Sequence, residues 1–277
     1  MTSAGHLGLI AGRKEEMDYR NLILKREGGI ATITMNRPEK LNALNGEMTD
    51  ELAQASREIG QDSEVRAVII TGAGRAFCSG ADLSAPEFNV SSSAASLQLM
   101  KKATQVTIGI RDMPKPVIAA VNGFAIGGGC NLALACDIII ASEEAKFSEI
   151  YVLRGLHPDF GGIYFLPRAV GVARASELLL TGRIIDASEA DRIGLVSRIV
   201  PADQLENVTR ELAATLAKCS PLAISMTKAS FHQALTMDLS TSLECEAKAQ
   251  SLIFMTEDWN EAKAAFLEKR EPIFKGR

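Results

Sequence analysis

The stretch Ala119-Ala120-Val121-Asn122-Gly123-Phe124-Ala125-Ile126-Gly127-Gly128-Gly129-Cys130-Asn131 constrains this chain most. It reads as a buried strand, a tight turn, and three glycines opening an apolar helix. A helix N-terminus leaves backbone N–H groups without intrahelical partners, and the macrodipole makes that end favour negative charge. Three glycines leave those donors bare and approachable. An oxygen that gains negative charge during a reaction needs such donors already aimed at it. The same glycines would equally serve tight packing of a helix on a strand. Both readings stand at this point.

Around this stretch, strands and helices alternate. Asn21–Glu27 and Ile30–Asn36 read as a hairpin through Gly28-Gly29. Gly46–Ile59 reads as a helix, and Arg66–Thr71 as a strand running into Gly72-Ala73-Gly74. Ala94–Asp112 has helical spacing and stops before Pro114 and Pro116. Val117–Val121 reads as a strand, Gly128–Cys136 as a helix, and Asp137–Ala141 as a strand. The fold class is therefore α/β, although not a clean βαβ repeat. After about Pro201 the strands cease. Leu205–Lys218, Leu222–Ala234, Ser242–Met255 and Asp258–Lys269 all read as helices, a pattern that packs against a neighbour or covers a site. The Ser- and Ala-rich segment Ser84–Ser96 reads as a loop.

Composition excludes several classes. The 277 residues are 47% hydrophobic and 23% charged, with a formal net charge of −4, so no basic footprint for nucleic acid is present. No run has the roughly 18 apolar residues of a membrane span. The stretch Met1–Glu16 lacks the charged and apolar regions of a signal peptide and reads as a short extension, with Met17 as a second possible start. Five scattered cysteines without a C-x-x-C pair, and three histidines, argue against a metal site. The odd cysteine count suggests reduced thiols and a cytoplasmic location.

A second glycine turn, Gly74-Arg75-Ala76-Phe77-Cys78-Ser79-Gly80-Ala81-Asp82-Leu83, follows the earlier strand, so two donor-bearing turns could converge on one oxygen. Further motifs are Met35-Asn36-Arg37-Pro38-Glu39-Lys40-Leu41-Asn42-Ala43-Leu44 and Gly155-x-x-Pro158-Asp159-x-Gly161-Gly162. Leu180-Thr181-Gly182, Ala190-x-x-x-Gly194-Leu195-Val196 and Phe266-Leu267-Glu268-Lys269-Arg270 complete the set. In this order, from about Tyr19 to Lys275, the motifs resemble the crotonase (enoyl-CoA hydratase/isomerase) family. The resemblance implies a superhelix of ββα units over residues 17–204 and a helical trimerisation region over 205–277, assembled as a homo-trimer or homo-hexamer. It implies an acyl-CoA thioester substrate, with CoA arriving as part of the substrate and no separate cofactor. It places the oxyanion-binding N–H groups at Ala81 and Gly128. Substrate contacts fall to the Arg37–Leu44 loop, to Ala81, Asp82, Leu83 and Ser84, and to Lys269, whose cation suits a phosphate. Arg37 itself reads as a surface cation beside Pro38.

The chain departs from the family where hydratases carry two glutamates. Those positions are Asn131 and Tyr151, and neither is a carboxylate. An amide takes no proton near neutrality, and tyrosine has a reference pKa of about 10. One acid remains in a family-active position, Asp159, which is a proton shuttle in some isomerases and the nucleophile in a dehalogenase branch. A helix N-cap is its structural alternative. Glu149 would share the face of Tyr151 on an extended segment and could act there if the local register shifts, against the reading of a solvated glutamate. His157 reads as a surface or supporting residue, and Cys130 lacks a matching base. Asn131 and Tyr151 would line the acyl pocket or hydrogen-bond the substrate. The expected reaction is a double-bond shift in an unsaturated acyl-CoA. The pattern is closest to phenylacetate-pathway-type isomerases. Hydration, hydrolysis through Asp159, and non-catalytic acyl-CoA binding are the alternatives.

Overall fold

A computed structural model describes residues 19–277; the 1–16 extension and Met17 lie outside the described residues. Among the described residues ten strands form two sheets. They are β1 (Leu22–Glu27), β2 (Ile30–Met35), β3 (Ala67–Gly72), β4 (Ala76–Cys78), β5 (Val117–Val121), β6 (Phe124–Ile126), β7 (Ile138–Ser142), β8 (Lys146–Ser148), β9 (Ile185–Asp186) and β10 (Arg198–Val200). The larger sheet has the order β1-β2-β3-β5-β7-β10, and the smaller has β4-β6-β8-β9. The β1–β2 hairpin is antiparallel, and every later pairing in the large sheet is parallel. The pairs β3/β4, β5/β6 and β7/β8 repeat one step: each adds a strand to the large sheet and then a short one to the small sheet.

Alternation along the strands sorts side chains to two cores, as the two-residue strand period requires. Ala31, Ile33, Val68, Ile70, Val117, Ala119 and Val121 face the larger core. Ile30, Ala67, Ile69, Ile118 and Ala120 face the other. The helix α1 (Gly46–Gln61) seats Met48, Leu52, Ala55 and Ile59 in the larger core, one helical face at the expected spacing. The Asn45 side chain accepts from Met48 N at 2.9 Å and caps its start. The helix α2 (Ser93–Arg111) begins inside the segment read as a loop, capped by the Ser92 hydroxyl on Ala95 N, and a single 3-10 turn forms at Pro86–Phe88. The segment is therefore a shorter connection than its composition suggests.

All eight residues of α3 (Gly128–Ala135) are buried. Next come α4 (Gly162–Val170), α5 (Val172–Thr181) and α6 (Ala187–Arg192). The helix α7 (Leu205–Ala217) places Leu205 and Ala213 in the second core, so the packed body runs past residue 204. Beyond it, α8 (Pro221–Ala234) and α9 (Leu239–Ile253) contain no buried residue, and α10 (Glu257–Glu268) buries Asp258 and Ala265. Among the described residues no helix is long and apolar enough to cross a membrane.

Candidate active site

The site has a wall of backbone and a wall of side chains. The backbone wall starts where the chain leaves β4. Leu44 N donates to Gly80 O at 2.7 Å, and Asp82 N donates to Leu44 O at 2.8 Å. This bridge consumes the groups on either side of Ala81, so the Ala81 N–H faces away from Leu44. The second turn abuts the first there. A Cβ on Gly80 would stand 2.8 Å from Ile126 O and 3.7 Å from Gly128 N.

The three glycines of the second turn do three different things. Gly127 has φ +53° and donates its N–H to Ser148 O at 2.7 Å. Gly129 is packed on β4, where a Cβ would stand 2.1 Å from Cys78 O. Gly128 opens α3 between them, facing the Phe160 ring and the Leu44 side chain, which a Cβ would meet at 3.3 and 3.4 Å. Among the described residues no backbone hydrogen bond uses the N–H of Ala81 or of Gly128. Gly129 thus serves packing, while the Gly128 N–H is left without a backbone partner.

The side-chain wall is a polar cluster sunk into apolar packing. Asn131 is fully buried on α3. Its amide nitrogen donates to Asp159 O at 2.9 Å, to the Tyr151 hydroxyl at 3.1 Å and to Glu149 Oε2 at 3.3 Å. The Tyr151 hydroxyl donates to Asp159 Oδ1 at 2.5 Å. Burial pushes the Asp159 carboxyl above its ordinary range, and the Tyr151 hydrogen bond pulls the other way. The Tyr151 phenol is raised too, by burial first and then by the Asp159 charge. Asp159 is not a helix cap. The cap of α4 is Gly161 and uses no side chain, because the Asp159 carboxyl is turned to Tyr151.

Glu149 departs most from its sequence reading. It is 1% exposed rather than solvated, because Ile150–Arg154 is a 3-10 turn and not an extended segment. Burial raises its carboxyl to about 7, against hydrogen bonds from Asn131 and Cys130 that lower it. The Cys130 thiol is driven well up by burial and by Glu149, which makes it a poor nucleophile. His157 is exposed, with Nδ1 2.8 Å from Pro158 O.

Arg37 is also corrected. It is no surface cation: its side chain is 15% exposed and meets Asp82 Oδ2 at 2.9 Å and Ala43 O at 2.5 Å. Asp82 further accepts from the Ser84 hydroxyl at 2.5 Å; that bond, and then the Arg37 bond, hold its carboxyl below the usual range. Asp82 and Ser84 thus spend their side chains on tying the 37–44 loop to the 81–84 turn, while Leu83 is exposed. Lys269 is exposed at the end of α10, and among the described residues no hydrogen bond or ion pair joins its side chain to either wall. Phe160, with φ +48° and its carbonyl 3.3 Å from Thr107 Oγ1, was not singled out from sequence. Its place directly after Asp159 was the available signal.

The sequence model of the family described as "Enoyl-CoA hydratase/isomerase" matches residues 25–277. A short-chain-enoyl-CoA hydratase of Clostridium acetobutylicum is 41% identical, over 92% of this chain and 97% of the relative. A 1,2-epoxyphenylacetyl-CoA isomerase of Escherichia coli is 38% identical, over 91% of this chain and 97% of the relative. The crystal structure of an enoyl-CoA hydratase from Bacillus anthracis superposes with a TM-score of 0.89 at 36% identity, covering 93% of this chain and all of that one. The two-sheet superhelix is therefore the crotonase fold, and the chain belongs to the enoyl-CoA hydratase/isomerase family as an enzyme of it.

Proposed function

We propose that this enzyme shifts a double bond in an unsaturated acyl-CoA through an enolate, with Asp159 as the proton shuttle. The observation that carries the reading is the side-chain wall. Both positions where family hydratases place glutamates hold Asn131 and Tyr151, and both bind to Asp159. The Ala81 and Gly128 N–H groups would take the thioester oxygen as charge develops on it. Asp159 would remove a proton from the carbon beside the carbonyl, sending the electron pair toward that oxygen. It would then return the proton to the far carbon of the allylic system. Atoms balance without water. The nucleotide end of the substrate would be met by the 37–44 loop, the Ala81–Ser84 turn and Lys269.

Hydration is the second reading, favoured by the hydratase names of most relatives and by Glu149 as a second carboxyl nearby. One experiment separates them: 2-enoyl-, 3-enoyl- and dienoyl-CoA esters incubated in D2O with the wild type and Asp159→Asn, read by mass spectrometry. Deuterium exchange at constant product formula, lost in the variant, is the expected result. Addition of water that survives in the variant would overturn it, and a trapped adduct on Asp159 would mean hydrolysis instead. A homo-trimer or homo-hexamer belongs to the same proposal. It is supported by the exposed apolar side chains Phe231, Leu239, Met255 and Phe266 on the C-terminal helices and their links. Sedimentation velocity of the full chain tests it, and a monomer would refute it.

A further inference from the structure

We propose that Glu149 is a positioning residue of this site: through the Asn131 amide its carboxyl fixes Asp159, and the charges of the two carboxyls are coupled. The Asn131 nitrogen is the joint. It donates to Glu149 Oε2 on one side and to the Asp159 main-chain carbonyl and the Tyr151 hydroxyl on the other. Glu149 is also hydrogen-bonded by the Cys130 thiol, yet each end of this clamp keeps an oxygen left over. Glu149 Oε1 and Asn131 Oδ1 are both buried without a hydrogen-bond partner among the described residues. Behind Glu149 lies a cavity of about 10 Å³ lined by Phe147, Leu166, Leu178, Ile185 and Leu195 beside Cys130 and Ser148. That side supplies no charge.

The titratable groups facing Glu149 are Cys130 on α3, Tyr151 on the 3-10 turn, and Asp159 on the loop before α4. No cation is among the groups acting on it. The Asn131 amide ties the Glu149 carboxyl to the Asp159 main chain, and the Asp159 charge acts on Glu149, so the two carboxyls lose their protons in two macroscopic steps. Burial raises the Asp159 carboxyl and the Tyr151 hydrogen bond lowers it, while the Asp159 charge helps raise Glu149 to about 7. Once Glu149 is charged, the Asp159 carboxylate becomes the stronger base. The kinetic consequence rests on Asp159 being the shuttle; the coupling itself does not.

The test is a carboxyl-carbon NMR titration of wild type, Glu149→Gln and Asp159→Asn, with the pH profile of kcat for the isomerised ester. In the wild type one carboxyl should titrate near 7, and the Asp159 resonance should show a second inflection there. Glu149→Gln mimics the neutral acid. It should abolish both signals and the upper inflection of kcat, while the lower inflection stays in place and KM holds. Asp159→Asn should shift the remaining Glu149 titration to lower pH. A Glu149 titration unmoved in Asp159→Asn, or an upper inflection that survives Glu149→Gln, would overturn the proposal. If no ester is isomerised but the NMR coupling is present, the shuttle reading fails and the coupling stands.

Discussion

The two walls of the site are built from different material, and they differ in what they permit. The wall that would hold the oxygen is backbone, fixed by the Leu44–Ala81 bridge and by Gly129 pressed against the Cys78 carbonyl. No side-chain substitution can tune an N–H group, so this wall is either kept whole or lost. The facing wall is side chain, and residue type there decides which atoms can accept or return a proton. Asn131 and Tyr151 occupy it without being carboxylates, and the wall remains a closed hydrogen-bonded cluster around Asp159. A family can thus hold one substrate chemistry constant on the first wall while the reaction changes on the second.

The comparison breaks most visibly at Gly129. Gly129→Ala would put a methyl group 2.1 Å from a backbone oxygen that cannot swing aside. The expected result is loss of the folded protein, a destabilisation above about 4 kcal/mol, seen as failure to accumulate soluble protein or a collapsed Tm. Gly128→Ala is the control. Its methyl group meets the Phe160 ring at 3.3 Å and the Leu44 side chain at 3.4 Å, and both can give, so that variant should fold. If the two variants behave alike, the backbone wall is not the rigid element described above. On the other wall, Asp159→Asn should keep the fold and lower kcat by about 10²–10⁴, the usual worth of a positioned acid–base group. Retention of full exchange in D2O would place the proton transfer elsewhere.

The same contrast governs what the sequence could disclose. The long strands were legible because β-branched runs such as Val117–Val121 alternate between two cores. The small sheet was not: β4, β6, β8 and β9 have two or three residues each, too few for any period to register, and they exist only because the chain returns beside itself. On the backbone wall, glycine marked the turns directly. On the side-chain wall, Asp159 was reached by resemblance, while Glu149 and Arg37 were misread. Charge in a sequence signals solvent unless a partner is visible, and their partners lie 18 residues away at Asn131 and 45 away at Asp82.

A buried Glu149 also leaves a mark on stability. Its carboxyl is raised from 4.5 to about 7 in the folded protein, so the native state holds that proton more tightly than the unfolded chain. The neutral acid is tolerated below about pH 4.5, and stability falls as pH rises from there through about 7. The full cost at alkaline pH is on the order of 3 kcal/mol, taking about 1.4 kcal/mol for each factor of ten in proton affinity. Glu149→Gln removes this dependence. Relative to wild type it should gain stability at about pH 8 and little at about pH 4, measured by urea unfolding. A gain of equal size at both pH values would mean that packing, not ionisation, separates the two proteins.

Tyr151→Phe carries the smallest expected effect and asks the most specific question of the side-chain wall. The hydroxyl donates to Asp159 Oδ1 and receives a hydrogen from Asn131, so removing it takes a donor from a carboxylate that burial already makes weakly acidic. The hydrogen bond favours the ionised form, and its loss should raise the Asp159 titration further. In the reading of Asp159 as base, the acid limb of kcat/KM then moves to higher pH. The plateau changes by no more than about tenfold, the worth of one such bond. The plateau separates two roles for Tyr151. A tyrosine that only holds the base gives a shifted limb and a preserved plateau. A tyrosine that itself hands a proton to the substrate gives a plateau lowered at every pH, with the acid limb left where Asp159 alone would put it.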